Sequence, residues 1–484
     1  MVTFSILTTL YSQTDALFFE RTAASVANQS FPDFEWVILA HGPIMPEVDH
    51  ILESLVTDGR VRVMRLRGNL GIIGGMRYVL EAASGRYIVP LDGDDLLVPE
   101  ALAVFATTIN TATMPPALLY SDEDIVIGDT IQLPYCRPGW DPVLDLENSW
   151  IWHLVAMDRR IALELNVYSD SGAEYCHDWD SVDRFSAAGA SIVHVPRVLC
   201  HWRHHEGSTS NSDATNTVSS ASVRHVLNRK IARRGMTDKA VLAPYPIWRG
   251  AEEWWIKRLS VDLPPLISVS CPHVAAPKGF VSITVADAQD CEGLLACIAS
   301  LDAEAIIAVI AHETEFSDIA AGEVVKLFDF VSELVIACGP VIADRKIVSA
   351  GVSFNSAGQL HSPFDGKDEN YSGPYALGLK PHCIAAPPAE AFFARASFLV
   401  DALAAAPKSV SQTELGLWLG VYAAAHGRRV GYSPLLRSET RRVFSSVGDL
   451  LSLQLAWQAF CSRVGVTATS TQSIGGYIPT RWKP

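Results

Sequence analysis

The chain has 484 residues, with 38 Lys and Arg against 53 Asp and Glu and a formal net charge of −15. That balance excludes nucleic-acid binding through a general basic field, and no uninterrupted apolar run reaches the roughly 18 residues of a membrane span. With 49% hydrophobic and 19% charged residues, the composition is that of a globular chain long enough for two full cores. The nine cysteines are scattered without C-x-x-C spacing, which suits a reducing cytoplasm.

In chain order, MVTFSILTTLYSQTD has no basic region ahead of its apolar stretch, so it is expected to be a first strand and not a signal peptide. A helical stretch follows, and a second strand comes after NQSFPDF, in FEWVILAHG. RVRVMRLR is a third strand and leads into GNLGIIGGMRYVLEAASG, a Gly-rich turn and helix. The next apolar run, within GRYIVPLDGDDLLVP at residues 85–99, stops at Asp92, Asp94 and Asp95. The order β-α-β-(α)-β-α-β predicts an α/β class with a parallel sheet, and ligands bind such sheets outside the carboxyl ends of the strands. Three carboxylates in four residues repel one another unless a cation or a polyol sits among them. Hard oxygen donors suit Mg²⁺ and Mn²⁺. An EF-hand is excluded, because DGDDLLVPEALA runs straight into apolar residues. Alone, DGDD serves equally well as a polar turn after a strand.

Further on, YSDEDIVIGDTIQLPYCRPGWDPVLDLENSWIWHL carries Asp122, Asp124 and three of the twelve tryptophans, Trp140, Trp150 and Trp152. Aromatic faces stack on the apolar sides of sugar rings and carboxylates accept hydrogen bonds from hydroxyls, so this segment is either an acceptor wall or an aromatic core under a long loop. In EYCHDWDSVDRFSAAG, Asp178 stands at a helix start, where a carboxylate also serves the helix dipole. Asp180 points elsewhere at helical spacing. VPRVLCHWRHHEGSTS holds His201, His204 and His205. On a helix His201 and His205 could pair on zinc, but no Glu follows His201 and no third ligand is evident.

The ordered set FSILT, NQSFPDFEWVIL, NLGIIGGMRYVLEAASGRYIVPLDGDD, YSDEDIV, HDWD and VPRVLCHWRHHEGSTS resembles the family-2 glycosyltransferases of the GT-A fold, in particular the bacterial members that build surface polysaccharides. The resemblance covers residues 1 to about 230. It implies metal-dependent, inverting transfer of a sugar from a nucleoside-diphosphate donor of UDP or dTDP type to a hydroxyl of a growing polysaccharide or lipid-linked glycan. On this resemblance Asp178 is the general base, Asp92 meets the donor ribose, and Asp94 with His205 holds Mn²⁺ or Mg²⁺. Thr9, Tyr11, His41, Asn69, Gly71, Arg77 and Arg203 are implied along the donor, and Asp122, Asp124, Trp140, Trp152, Trp179 and Trp202 along the acceptor. Two departures leave the nucleotide base open: Ala40 and His41 stand where the family has acids, and Met76 and Arg77 stand where it has Arg-Asn.

The C-terminal half repeats the pattern without its acids. AIIAVIAHETEF has the shape of RYIVPLDGDDLL, with Ala311 at the place of Asp92 and Glu313 at that of Asp94. Asp178, Gly189 and Pro196 are spaced by 11 and 7, and Gly416, Gly427 and Pro434 repeat both intervals, so Gly416 falls at the base position. About forty residues separate SVSCP from AHE, against nearly ninety between FSILT and DGDD. The expected organisation is a GT-A domain at 1–235, a linker at 236–264, a smaller degenerate GT-A-like domain at 265–445 and a tail at 446–484. The expected location is the cytoplasm, with peripheral contact at the inner membrane or between copies of the chain. The alternative function is a decayed sugar-binding or scaffolding protein. Nucleotidyl transfer fits less well, since the Gly-rich stretch lacks a lysine aimed at phosphates.

Overall fold

The computed structural model describes residues 2–440 apart from 129, 133, 206–212, 248–252, 273, 286, 289, 312, 355–359 and 411–413, so the expected tail lies outside the described residues. Two compact units divide the chain, Met1–Trp140 with Ser149–Arg229, and Asp141–Asn148 with Lys230–Pro484.

The first unit begins β1 (Phe4–Leu10), α1 (Ala16–Ala27), β2 (Phe34–His41), α2 (Pro46–Leu55), β3 (Val61–Leu66), α3 (Gly71–Ala82) and β4 (Tyr87–Pro90). These strands lie in the order β3-β2-β1-β4, all parallel, as the β-α-β alternation requires. In β2 every residue but Glu35 is buried, the near-continuous apolar run of a strand covered on both faces. Helix α1 is capped by Asp15, whose Oδ1 accepts the Phe18 N–H at 3.0 Å, and it lays Phe19, Ala23 and Val26 on the sheet. Phe4, Ile6, Trp36, Ile38, Val89 and Phe105 form the centre of that core.

Beyond β4 the sheet is mixed. Short β5 (Leu96–Leu97) and α4 (Ala101–Thr111) precede β6 (Leu118–Ile127), β7 (Thr130–Ile131), α5 (Pro142–Asp145, in the second unit), β8 (Val155–Asp158), α6 (Arg159–Glu164), α7 (His177–Ala187) and β9 (Ile192–His204). The sheet continues β4-β8-β6-β9-β5, with β8 antiparallel to both neighbours and β6 parallel to β9. The all-parallel expectation therefore holds only up to β4. Four-residue β8 reverses direction at the edge where the acid turn emerges.

The second unit has a seven-stranded sheet in the order Val281–Thr284, Leu266–Ser270, Ile306–Ile310, Ala391–Arg395, Leu334–Cys338, Arg429–Tyr432 and His382–Ile384. Its first six strands repeat the order and the directions of β2-β1-β4-β8-β6-β9, being parallel, parallel, antiparallel, antiparallel and parallel in turn. Between Leu266–Ser270 and Ile306–Ile310 the described residues hold one strand and the helix Cys291–Ile298, where the first unit has β2, β3 and three helices. Gly189 and Gly427 both take positive φ, 66° and 65°, in the turn after equivalent helices. That left-handed turn explains why their spacing recurs.

Residues 236–264, expected as a linker, instead contain an antiparallel pair, Ala240–Pro244 with Trp254–Arg258. The apolar Trp255 and Ile256 in that run are buried, and the Ile256 N–H donates to the Glu147 carboxylate at 2.7 Å. Lys326, fully buried, bonds both Glu147 oxygens at 2.9 Å and Glu323 at 2.8 Å.

Candidate functional site

The site is built on the turn after β4. A Cβ on Gly93 would stand 2.8 Å from Leu10 Cδ2, so a larger residue there would have to displace the Leu10 side chain. The carboxylates of the turn have different partners. Asp94 Oδ2 meets His205 Nε2 at 2.9 Å, and the His205 ring lies 5.1 Å from that of Phe18. Asp92 and Asp95 face His153, whose Nε2 lies 3.8 Å from Asp92 Oδ2 and 3.9 Å from Asp95 Oδ2. The Asp92 side chain is 68% exposed, whereas Asp95 is buried.

The electrostatics follow from that packing. Burial and the neighbouring Asp92 raise the Asp94 pKa, opposed by His205. Burial pushes Asp95 well up, and the opposing pull of His153 does not offset it. For His153 burial works against the charged form, yet Asp95, Glu123 and Asp92 outweigh it and raise the imidazole to about 10. Tyr11, at the end of β1, has its phenol raised by burial and then by Asp94 and Asp92, which places it beside both acids.

Asp178 and Asp180 differ sharply. Asp178 keeps part of its side chain open, yet desolvation by burial raises its pKa, with His177 and His153 pulling it down and Asp92 and Glu123 pushing it up. It therefore shares one electrostatic neighbourhood with the acid turn. Asp180 is buried, accepts from Arg184 Nε at 2.7 Å and pairs with Arg229.

The donor-side candidates form a second group. His41 Nδ1 accepts the Leu70 N–H at 3.0 Å, consistent with a buried neutral ring whose pKa is lowered by desolvation. Asn69 Oδ1 accepts the Gly71 N–H at 2.8 Å, and a Cβ on Gly75 would meet His41 and Thr9, each at 3.1 Å. Thus Thr9, His41, Asn69 and Gly71 line one edge. Glu174, absent from the sequence expectations, takes the Ile72 and Ile73 N–H groups at the start of α3, and Gly71 at φ 74° leaves room for it.

Several expected contacts are used internally. Arg77 Nε binds Glu81 at 2.6 Å and its Nη1 binds the Val167 carbonyl at 3.2 Å, so the guanidinium is turned away from the acid turn. Arg203 is buried, donates from Nε to the Asp94 carbonyl at 2.8 Å and lies 4.6 Å over Phe18. It braces the turn, as does its N–H to Asp95 Oδ1 at 2.9 Å. Asp122 is buried against the Arg137 N–H and His194 Nε2, both at 2.8 Å, and Asp124 pairs with His201 at 2.5 Å. Trp179 is 2% exposed and faces the core. Of these, Asp122 and Asp124 lie on β6 and Trp179 lies inside α7, where buried side chains are taken up by internal partners.

His201 and His205 do not make a helical zinc pair, because His201 lies on extended β9 and His205 directly follows that strand. Trp152 is open and stacks on Tyr135 at 5.3 Å, Trp140 stacks on Trp150 at 6.1 Å, and Trp202 stacks on His153 at 6.2 Å. Buried Arg137 organises this wall through Glu123 at 2.9 Å and the Trp150 and Ser121 carbonyls. His153, Glu123 and Arg137 were missed in sequence. They sit in a stretch whose local signals were Asp122, Asp124 and its tryptophans.

Residues 5–114 match the model of glycosyl transferase family 2. An uncharacterised protein of Sinorhizobium fredii is 30% identical over 247 residues, covering 50% of this chain and 27% of that protein. The O-antigen biosynthesis protein RfbC of Myxococcus xanthus is 27% identical over 246 residues, covering 50% of this chain and 19% of its own length. The chain thus spans about a quarter or less of these two relatives. Among solved structures, S. aureus TarS 1–349 in complex with UDP-GlcNAc superposes with a TM-score of 0.36 at 17% identity, over 48% of this chain and 73% of that one.

Proposed function

We propose that the first unit is a metal-dependent, inverting glycosyltransferase that moves a sugar from a nucleoside-diphosphate donor to a hydroxyl of a surface polysaccharide or lipid-linked glycan. What supports this reading is the cluster of Asp92, Asp94 and Asp95 after β4, with His205 on Asp94 and His153 facing Asp92 and Asp95, together with the influence of Asp92 and His153 on the pKa of Asp178. An acceptor hydroxyl is a weak nucleophile at neutral pH and needs a carboxylate to take its proton. The raised pKa of Asp178 makes it a better base than an exposed aspartate. The leaving diphosphate needs a counter-charge, which a bound divalent ion supplies.

The donor set fits such an ion. Asp94 with His205 offers a carboxylate and an imidazole 2.9 Å apart, and the turn concentrates three acids. Thr9, Tyr11, His41, Asn69 and Gly71 border the same space and would hold the nucleotide, while Trp140, Trp152 and Trp202 present ring faces to an acceptor. The relative in O-antigen biosynthesis supports the polysaccharide assignment. A cytoplasmic site of action suits the absence, among the described residues, of any helix long and apolar enough to cross a membrane.

For the second unit we propose a degenerate GT-A-like role. A Cβ on Gly416 would stand 2.3 Å from the Pro387 carbonyl oxygen, so the position matching Asp178 has no room for a carboxylate. The alternative of a decayed sugar-binding protein draws on Ala40 and on Arg77, which is held by Glu81. Calorimetry with UDP and dTDP in the presence of Mn²⁺ tests the assignment. Asp94→Ala should abolish metal-dependent nucleotide binding, and unchanged affinity would remove Asp94 from the metal.

A further inference from the structure

One carboxylate joins the start of α3 to the start of α7. The turn that leads into α3 satisfies its first amides locally, the Leu70 N–H on His41 Nδ1 at 3.0 Å and the Gly71 N–H on Asn69 Oδ1 at 2.8 Å. The next two amides have no such partner, because a helix leaves its first N–H groups without intrahelical acceptors and Leu70, at the cap position, makes no side-chain bond. Glu174 takes both, from 102 residues beyond Ile72, with the Ile73 N–H on Oε2 at 3.2 Å.

The backbone at Gly71 is shaped around this bond. Gly71 stands at φ 74°, and a Cβ there would lie 2.4 Å from Glu174 Oε1, so a side chain at this position would evict the carboxylate. At the other end, α7 has no side-chain cap at Cys176, and the Glu174 carbonyl lies 3.3 Å from His177 Nδ1 in its first turn. The approach to α7 is irregular, with Asn166 and Tyr168 at φ 54° and 57° and only the single turn Ser171–Ala173 after them. Further along, α7 is held independently by the pairing of Asp180 with Arg229. Glu174 therefore governs the beginning of the helix, and Asp178 is its second residue.

We propose that Glu174 is a positioning residue for transfer, its carboxylate setting the start of α7, and with it Asp178, against the donor edge at Asn69 and Gly71. The role rests on the glycosyltransferase reading for what Asp178 does there. Glu174 acts through Asp178 and needs no contact with the reacting atoms. Displacing a catalytic group by about 1 Å can cost on the order of 10²-fold in rate, so such a tie matters to turnover more than to binding.

Hydrogen–deuterium exchange on the full chain without ligand tests the tie. Glu174→Ala should speed exchange about fivefold or more in both segments 71–75 and 176–180, where opening is local. Gly71→Ala keeps Glu174 but displaces its carboxylate, and should speed exchange at 176–180 as well. If Glu174→Ala does not fold, Gly71→Ala and Glu174→Gln carry the same comparison. Faster exchange confined to 71–75 in these variants would overturn the inference, since the carboxylate would then cap α3 and do nothing for α7. Kinetics give the second readout, counted per site that binds UDP or dTDP with Mn²⁺ in calorimetry, so that a misfolded fraction does not enter. Glu174→Ala should lower kcat roughly tenfold or more while donor KM stays within about threefold, and Glu174→Gln, which keeps one acceptor oxygen, should recover part of kcat. An unchanged kcat in Glu174→Ala also overturns the inference. Wild-type protein that releases nucleoside diphosphate from no donor removes the glycosyltransferase reading instead, and the exchange at 176–180 then decides by itself whether Glu174 ties the two helices.

Discussion

Two aspartates two residues apart have different surroundings in α7. Asp178 is partly open beside the acid turn, and Asp180 is sealed into ion pairs with Arg184 and Arg229. Asp178→Asn should keep donor affinity while transfer falls by roughly 10²-fold or more, the usual cost of a positioned base. Asp180→Ala should instead lower stability by about 3–5 kcal/mol, because two arginines lose a buried partner. Chemical denaturation and donor titration of both variants separate the roles. Normal transfer by Asp178→Asn would mean that another group takes the proton. At this scale the acids and Asp178 were legible, since carboxylates after an apolar run and at a helix start stand out in any sequence. His153 was not, because nothing next to it in the chain signals Glu123, thirty residues earlier, or the turn at Asp92. Arg203 misled for the converse reason. An arginine beside a diphosphate is plausible chemistry, but the Asp94 carbonyl and Phe18 already hold it.

Strands and helices show the same division between local and distant causes. β2 and β4 were readable as apolar runs covered on both faces, whereas β3, at the sheet edge, showed as Val and Met alternating with Arg. The reversal at β8 was not, since VAMD is four residues long and its direction is set by pairing with β4 and β6. The strand Trp254–Arg258 looked like linker because its tryptophans and charges have no clean alternation, yet its partner Ala240–Pro244 and the Glu147 carboxylate satisfy its backbone. In the second unit, the segment after strand Leu360–His361 carries Asp365, whose pKa is raised to about 7 by burial, with Glu390 adding to the rise. An unfolded aspartate titrates near 3.9, so this group favours the folded state fully below that value and the benefit is lost as pH rises toward about 7. Asp365→Asn should therefore raise the melting temperature at pH 8 and change it little at pH 4. Equal effects at both pH values would show that folding does not raise the Asp365 pKa.

The two units share one strand order and differ in what their strand ends carry. The first ends β4 in Asp92, Asp94 and Asp95, whereas the matching strand Ile306–Ile310 runs into Ala311. The repeat was visible from glycine and proline spacing alone because left-handed turns demand glycine. The missing β3 equivalent showed only as a shorter interval. If the second unit has no working site, Glu313→Gln and Glu414→Gln should each leave transfer within about twofold, and donor calorimetry should give one nucleoside diphosphate per chain. Two independent binding events would make the second unit a site in its own right. The central claim concerns turnover by the first unit. Incubating the full chain with a panel of nucleotide sugars and Mn²⁺, and measuring released nucleoside diphosphate, tests it most directly. The expected result is release from at least one donor that stops when the metal is chelated and in Asp94→Ala, and that falls roughly 10²-fold in Asp178→Asn. Folded protein that binds sugars but releases nucleoside diphosphate from no donor would contradict the account and favour a decayed binding protein.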